Sequence, residues 1–496
     1  MGRIVNVLAI DQGTSSTKAL VVSAAGGVLG SAEVPVHPIA RSASGVEQDP
    51  EELWTSVVAA GRQVLERAGE PVAAVGLANQ GETVLLWDRT TGRPLSQAMS
   101  WQDRRAAEIC ARLASRGARL QALTGLPLDP YFAAPKIAWL REHVSTAGVA
   151  TTTDSWLLHR LTGAFVTDAT TASRTLLLDL DNCEWSSEAC AVFGVDVMTL
   201  PRIVGCAQPI GETAAFGPLL PVTGLAVDQQ AALFAQRCFA EGDAKCTYGT
   251  GAFLLVTAGA SPRRSRAGLV GSIAWRLADA TTYCLDGQVY TVGAALAWLQ
   301  RVGLLVALES LDAEAGDDTA DPVRASSRPR RSAPRDAAGD VAFVPALAGL
   351  GAPFWRPGAR GAFVGLSLAT ERADLIRAVL EGIAAQVTVL AEVAAVDLGR
   401  PLTGLRADGG LTRSRLLMQT QADLLQIPVD VCPSLHATAL GVAALARIGS
   451  GLAASPMDAI GRRSAAARYE PRIERPQAEE RLARWRRAAD AAIGLA

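Results

Sequence analysis

The stretch Asp11-Gln12-Gly13-Thr14-Ser15-Ser16-Thr17-Lys18 sets a carboxylate, a run of hydroxyls and an ammonium side by side. Such a set can hold a hydrated magnesium ion at Asp11, while loop N–H groups and hydroxyls bind phosphate oxygens. Cys246-Thr247-Tyr248-Gly249-Thr250-Gly251 repeats the theme half a chain later. Two further carboxylates stand where strands end. Glu82 closes Asn79-Gln80-Gly81-Glu82, and Asp228 opens Asp228-Gln229-Gln230. An acid on a rigid strand-to-helix junction can take a proton from a reacting hydroxyl. Each feature also has an ordinary use: a hairpin turn for the first loop, a helix N-cap for Asp228, a satisfied turn residue for Glu82.

The elements that must position these groups follow from pattern. Val7 to Ile10 and Ala19 to Val22 are short apolar runs on either side of the polar loop, hence strand, loop, strand. A third apolar patch after Gly26-Gly27 continues a meander, not the helix that a P-loop or dinucleotide turn would open. Asp49-Pro50-Glu51-Glu52 predicts an N-cap, a proline at the first helical position and a capping box returned by Glu52. The helix should run to about Arg67. Strands are expected at Val72 to Ala78, Val84 to Trp87 and Leu225 to Val227. The aromatic pair Tyr131-Phe132 precedes a helix, and Trp101-Gln102-Asp103-Arg104-Arg105 reads as a helix start. The second half offers a strand from Tyr283 to Tyr290, interrupted by Asp286-Gly287, and one ending at Asp408-Gly409-Gly410. It also offers a long apolar helix from Arg372 to about Val396, another over Ala437 to Ala446, and a charged terminal helix from Gln477 to Ile493. The two Gly/Thr loops that feed strands hint at two halves built alike, with a boundary near residue 245.

Composition narrows the class. A chain of 496 residues is too long for one core, and two domains is the natural expectation. A formal net charge of −2 gives no pull toward nucleic acid or an anionic membrane. No uninterrupted apolar run reaches the roughly 20 residues of a membrane helix, and Asp11 interrupts the opening apolar stretch too early for a signal peptide. Eight cysteines without a C-x-x-C, and four histidines without ligand spacing, argue for reduced thiols and against structural zinc. A soluble, cytoplasmic protein is the expectation. Residues 311–340, acidic and then arginine-rich among Ser, Pro and Ala, read as a mobile surface loop.

Taken together the order of motifs resembles the FGGY family of carbohydrate kinases, and within it most closely the glycerol kinases. The resemblance rests on Asp11 to Thr17, Asn79 to Glu82, Trp101 to Arg105, Tyr131-Phe132, Asp228 to Gln230, Gly249 to Gly251, Val344 to Trp355 and Asp408 to Gln419, and covers nearly the whole chain. It implies an α/β fold of two actin- or hexokinase-like, ribonuclease H-like ATPase domains around a central cleft. These would be residues 1–245 for acceptor and phosphate and 246–496 for nucleotide. It implies ATP and Mg²⁺, a small polyol or sugar as acceptor, no nucleic-acid or membrane partner, and a homo-oligomer, dimer or tetramer.

By the same resemblance Asp11 would sit at the metal and Asp228 would be the catalytic base. Thr14, Ser15, Thr250 and Gly251 would meet the phosphates; Gly287, Gly293, Gly410 and Ser414 would line the nucleotide. Gly81, Glu82, Trp101, Tyr131, Gln229 and Phe253, with Asp228, would border the acceptor. Three positions depart from the glycerol-kinase pattern. Gly81 replaces an arginine, which removes a charged donor and should open the pocket to an acceptor longer than glycerol, a tetritol or a five-carbon polyol or ketose. Val227 replaces a frequent glycine before the base. Ser414 replaces an asparagine that contacts adenine, which puts strict ATP preference in question.

Overall fold

In the computed structural model, which describes residues 6–42, 44–316, 341–461 and 464–495, the opening stretch is a hairpin. Strand β1 (Asn6–Gln12) pairs antiparallel with β2 (Ser16–Val22), and β2 with β3 (Val28–Pro35). Helix α1 (Pro50–Ala68) starts where expected: the Asp49 carboxylate accepts the Glu51 N–H at 2.9 Å, and Gly69 ends the helix in a left-handed conformation. The capping box does not form. Glu52 turns away to His37, accepting its backbone N–H at 3.1 Å and meeting its Nδ1 at 2.5 Å.

Strand β4 (Val72–Asn79) lies parallel to β1, and β5 (Ala207–Thr213) and β6 (Leu220–Val227) complete a six-stranded sheet in the order β5-β6-β4-β1-β2-β3. Alternation along β1 divides its apolar residues. Leu8 and Ile10 join the core under α1 with Leu53 and Val57, whereas Val7 and Ala9 face a second cluster. Helix α2 (Asp228–Ala235) leaves the end of β6.

The second sheet repeats the first. Strands β7 (Ala244–Tyr248) and β8 (Ala252–Gly259) form a hairpin, β9 (Val270–Leu277) and β10 (Ala280–Val289) extend it, and helix α3 (Gly293–Arg301) follows. Helix α4 (Arg372–Leu398) is 27 residues long and apolar enough to pass for a membrane span by composition, yet most of it is buried in the second core. Strand β11 (Leu405–Asp408) lies parallel to β7, as β4 lies parallel to β1. Helix α5 (Arg415–Leu425), β12 (Val429–Val431), helix α6 (Ala437–Gly449) and β13 (Ala467–Tyr469) complete the half, and the sheet order is β9-β10-β8-β7-β11-β12-β13. The terminal helix spans Arg475–Gly494.

Two expectations about organisation change. Because β7 begins at Ala244, a boundary at 245 cuts into its first residues. More importantly, α6 belongs to the C-terminal half of the chain but packs on the N-terminal sheet. The Thr223 hydroxyl donates to the Ala446 carbonyl at 2.8 Å, and Leu440, Val442 and Ala443 share a core with Val7, Ala9, Ala74 and Ala226. Of the stretch expected as a mobile loop, Leu311–Glu314 is a short helix, and 317–340 lies outside the described residues.

Candidate active site

A cavity of about 290 Å³ opens between the two hairpins. Asp11 reaches its floor from the end of β1, in register with Lys18 on β2, and the loop between them closes with the Gly13 N–H donating to the Ser16 carbonyl at 3.0 Å. Thr14 and Ser15 line the same space. Opposite stand Thr250 and Gly251 from the β7–β8 turn. The surrounding protein, and next the charge of Asp228, push the Asp11 carboxyl up to about 7, against the pull of Lys18. A buried carboxylate raised further by a second one, beside N–H-rich loops, is a donor set suited to a divalent cation. Mg²⁺ needs only one or two carboxylates when phosphates and waters complete its shell.

Asp228 is not an N-cap. Val227 holds that place with extended backbone, and Asp228 is the first helical residue of α2. Its Oδ1 accepts the neighbouring Gln229 N–H at 2.7 Å, and the carboxylate lines the cavity. Burial raises its pKa, and Lys245 is the largest opposing influence. Lys245, unremarked in the sequence, is buried on β7 and donates to Gln229 Oε1 at 2.6 Å and to Thr247 Oγ1 at 2.8 Å. It fixes the Gln229 side chain and supplies positive potential beneath Asp228.

One wall of the cavity is aromatic. Trp101 lies edge-on to Tyr131 and Phe253, with ring centroids 5.9 Å and 6.2 Å away, and all three line the cavity. The Trp101 Nε1–H donates to Thr14 Oγ1 at 2.8 Å, tying this wall to the β1–β2 loop. The expected helix start at Trp101 is a run of turns instead, and Asp103, paired with Arg105, has its carboxylate fully buried. Glu82 lines the cavity with a left-handed backbone (φ 56°), a conformation a glutamate adopts only under constraint. Burial raises its carboxyl to about 7, opposed chiefly by Arg174.

Arg174 is the second residue missed in the sequence. It sits in a Ser/Thr-rich stretch, yet its guanidinium joins Glu82 through Nε and Asp286 on β10 through Nη1. Gly81 borders the cavity too, but the space expected there is partly taken. A Cβ on Gly81 would lie 3.0 Å from Val227 Cγ2 and 3.7 Å from Arg174 Nε.

The remaining predicted glycines divide. Gly293 packs behind the β7–β8 turn, donating its N–H to Gly249 O at 3.0 Å. Gly287 lies away from the cavity: a Cβ there would meet Leu390 and Leu269 in the second core. Gly410 is open, with nothing within 4 Å of a Cβ position, and its neighbour Gly409 (φ 97°) lets the turn pass against the Tyr248 backbone. Ser414 caps α5 by accepting the Leu417 N–H at 3.1 Å and donates to Asp312. Its hydroxyl is therefore engaged within the protein.

Comparison with known proteins agrees with this arrangement. The N-terminal domain model of the FGGY family of carbohydrate kinases matches residues 6–235, and the C-terminal domain model matches 244–450. A glycerol kinase of Myxococcus xanthus is 43% identical over 98% of this chain and 99% of its own length. One from Thermus brockianus is 42% identical over 98% of each. The crystal structure of Plasmodium falciparum glycerol kinase with ADP superposes with a TM-score of 0.85 at 30% identity, covering 98% of both chains. A gluconate kinase from Lactobacillus acidophilus shares the fold at 22% identity and a TM-score of 0.85. With duplicated sheets, a cleft between their hairpins and both family domains in order, this chain belongs to the FGGY family of carbohydrate kinases.

Proposed function

We propose that this protein transfers the γ-phosphoryl group of ATP to a hydroxyl of a small polyol or sugar, in a pocket that differs from that of the glycerol kinases at Gly81. The observation that carries the reading is the single cavity shared by Asp11, Asp228 and Glu82, with hairpin loops on one side and an aromatic wall on the other. Phosphoryl transfer asks little covalent chemistry of a protein, so positioning and charge decide the rate. Thr14, Ser15, Thr250 and Gly251 are placed to hold phosphate oxygens, Gly293 lets the β7–β8 turn pack closely behind them, and Gly410 leaves room for the nucleotide. A Mg²⁺ ion held by Asp11 and phosphate oxygens would neutralise charge on the transferred group. Glu82, Trp101 and Tyr131 orient the acceptor. Asp228 accepts the proton as the acceptor O–H bond breaks, a new O–P bond forms and ADP departs, with Lys245 and Gln229 holding the base in place.

A second reading, a four- or five-carbon polyol or ketose in place of glycerol, is favoured by the missing side chain at position 81. Two observations limit it: Val227 fills part of the vacated volume, and the curated relatives named above are glycerol kinases. ADP release measured across glycerol, tetritols, pentitols and pentuloses distinguishes them. Acceptor-dependent turnover that stops with EDTA is expected. Acceptor-independent hydrolysis would sink the kinase reading, and a wide kcat/KM preference for glycerol would sink the longer acceptor.

A further inference from the structure

Arg174 is a buried cation at the acceptor end of the cavity, and the reading above leaves it without a role. We propose that Arg174 is the guanidinium that binds the acceptor, recognising a pair of neighbouring hydroxyls together with Glu82; this rests on the kinase reading.

Gly81 and Val227, both departures from the glycerol-kinase pattern, touch each other. A Cβ at position 81 would be 3.0 Å from Val227 Cγ2, closer than such atoms comfortably pack, so the valine occupies space that a side chain at 81 would need. Beyond that contact the next neighbour is Arg174, with Nε at 3.7 Å and Cδ at 3.8 Å. The charged donor absent at 81 is thus supplied from another segment, into the same corner of the pocket.

The guanidinium is held in one orientation by two carboxylates, Glu82 on Nε and Asp286 on Nη1. Its third nitrogen, Nη2, donates to no protein group among the described residues, and Arg174 lines the cavity. Glu82 uses Oε1 for Arg174 and has no protein partner for Oε2 among the described residues. The pocket therefore presents a fixed donor beside a fixed acceptor. A hydroxyl is both, and a vicinal diol can accept from Nη2 with one oxygen and donate to Oε2 with the other. The Tyr131 ring, 5.9 Å from the guanidinium carbon, backs this corner. A charged group held by buried partners does not need to reorganise when the acceptor arrives, which favours affinity.

The test uses the full-length protein and the polyol panel. Wild-type enzyme is assayed first, and a lack of acceptor-dependent ADP release would overturn the kinase reading and this proposal with it. Arg174→Lys keeps a cation between Glu82 and Asp286 but removes the Nη2 donor. Acceptor KM should rise about 10- to 100-fold, as for loss of a charged hydrogen bond, with kcat changed far less and KM for ATP unchanged. Deoxy analogues of the best acceptor give a reading independent of the fraction folded. At least one should cost the wild type about tenfold in kcat/KM and cost the lysine variant nothing. If every deoxy penalty is the same in both proteins, Arg174 does not bind the acceptor. Should Arg174→Lys fail to fold, Gly81→Ala serves instead: its methyl presses on Val227 beside Arg174. It should raise acceptor KM without changing KM for ATP, and Val227→Ala in the same chain should restore it. A Gly81→Ala protein with wild-type acceptor KM would overturn the proposal.

Discussion

Asp228 begins a helix without capping it, and that detail decides its chemistry. A capping carboxylate spends its oxygens on N–H groups of the first turn. Here one oxygen takes the adjacent Gln229 N–H, and Lys245 is engaged with Gln229 and Thr247 and not with the acid itself. The side chain is thus left beside the cavity with a raised pKa, as the base proposed above requires. Replacing it by asparagine keeps size and hydrogen bonding but removes proton acceptance. Asp228→Asn should lose about 10²- to 10⁴-fold in kcat, the usual worth of a positioned base, while nucleotide affinity by calorimetry stays close to wild type. Unchanged turnover would take Asp228 out of the mechanism. Sequence favoured the cap because Asp at a strand-to-helix junction commonly is one; only the backbone of Val227 shows otherwise. Arg174 and Lys245 escaped notice for a related reason. Each is a lone cation in an unremarkable local pattern; the partners of Arg174 lie far along the chain, and Lys245 meets Gln229 only because β7 runs beside the start of α2.

At the scale of elements, what the chain announces locally is what could be read from it. The β1–β2 hairpin, the start of α1 and the extent of α4 follow from apolar runs, a proline and an N-cap within a few residues. Helix α6 shows the limit. Its sequence, Ala-Thr-Ala-Leu-Gly-Val-Ala-Ala-Leu-Ala-Arg-Ile-Gly, declares a buried helix but not which sheet covers it. The answer lies in small residues on both sides. A Cβ at Gly76 would come 2.6 Å from the Val442 carbonyl, and one at Gly441 would come 1.8 Å from the Ala231 carbonyl. Backbones approach this closely only where the residue facing the carbonyl bears no side chain. Gly441→Ala must push α6 from α2 and should cost at least about 1–3 kcal/mol, the usual price of overpacking. Gly494→Ala at the exposed end of the terminal helix, with nothing within 4 Å, should be near neutral. Equal urea midpoints for the two variants would show that the α6 contact tolerates displacement.

For the whole molecule, the duplicated sheets suggest two separable halves, but the chain does not divide there. The first sheet is covered on one face by α1, from its own half, and on the other by α6, which arrives after almost all of the second sheet has been laid down. The Thr438 hydroxyl on α6 also donates to the backbone carbonyl of Asp228 at 3.3 Å, so the helix that completes the first core steadies Asp228 as well. Arg174 adds a bridge of a different kind, joining Glu82 beside the first sheet to Asp286 in the second. Folding of the N-terminal half therefore waits on sequence from the far end of the chain. Residues 1–243 expressed alone would leave Val7, Ala9, Ala74, Ala78 and Ala226 facing water across one side of the sheet, an apolar surface that favours aggregation. The fragment should be insoluble or bind a hydrophobic dye such as ANS without a sharp melting transition. Joining residues 436–461 to it through a flexible linker should suppress the dye binding and restore a cooperative transition. A bare 1–243 fragment that melts sharply and leaves the dye dark would show the first sheet to be complete without α6.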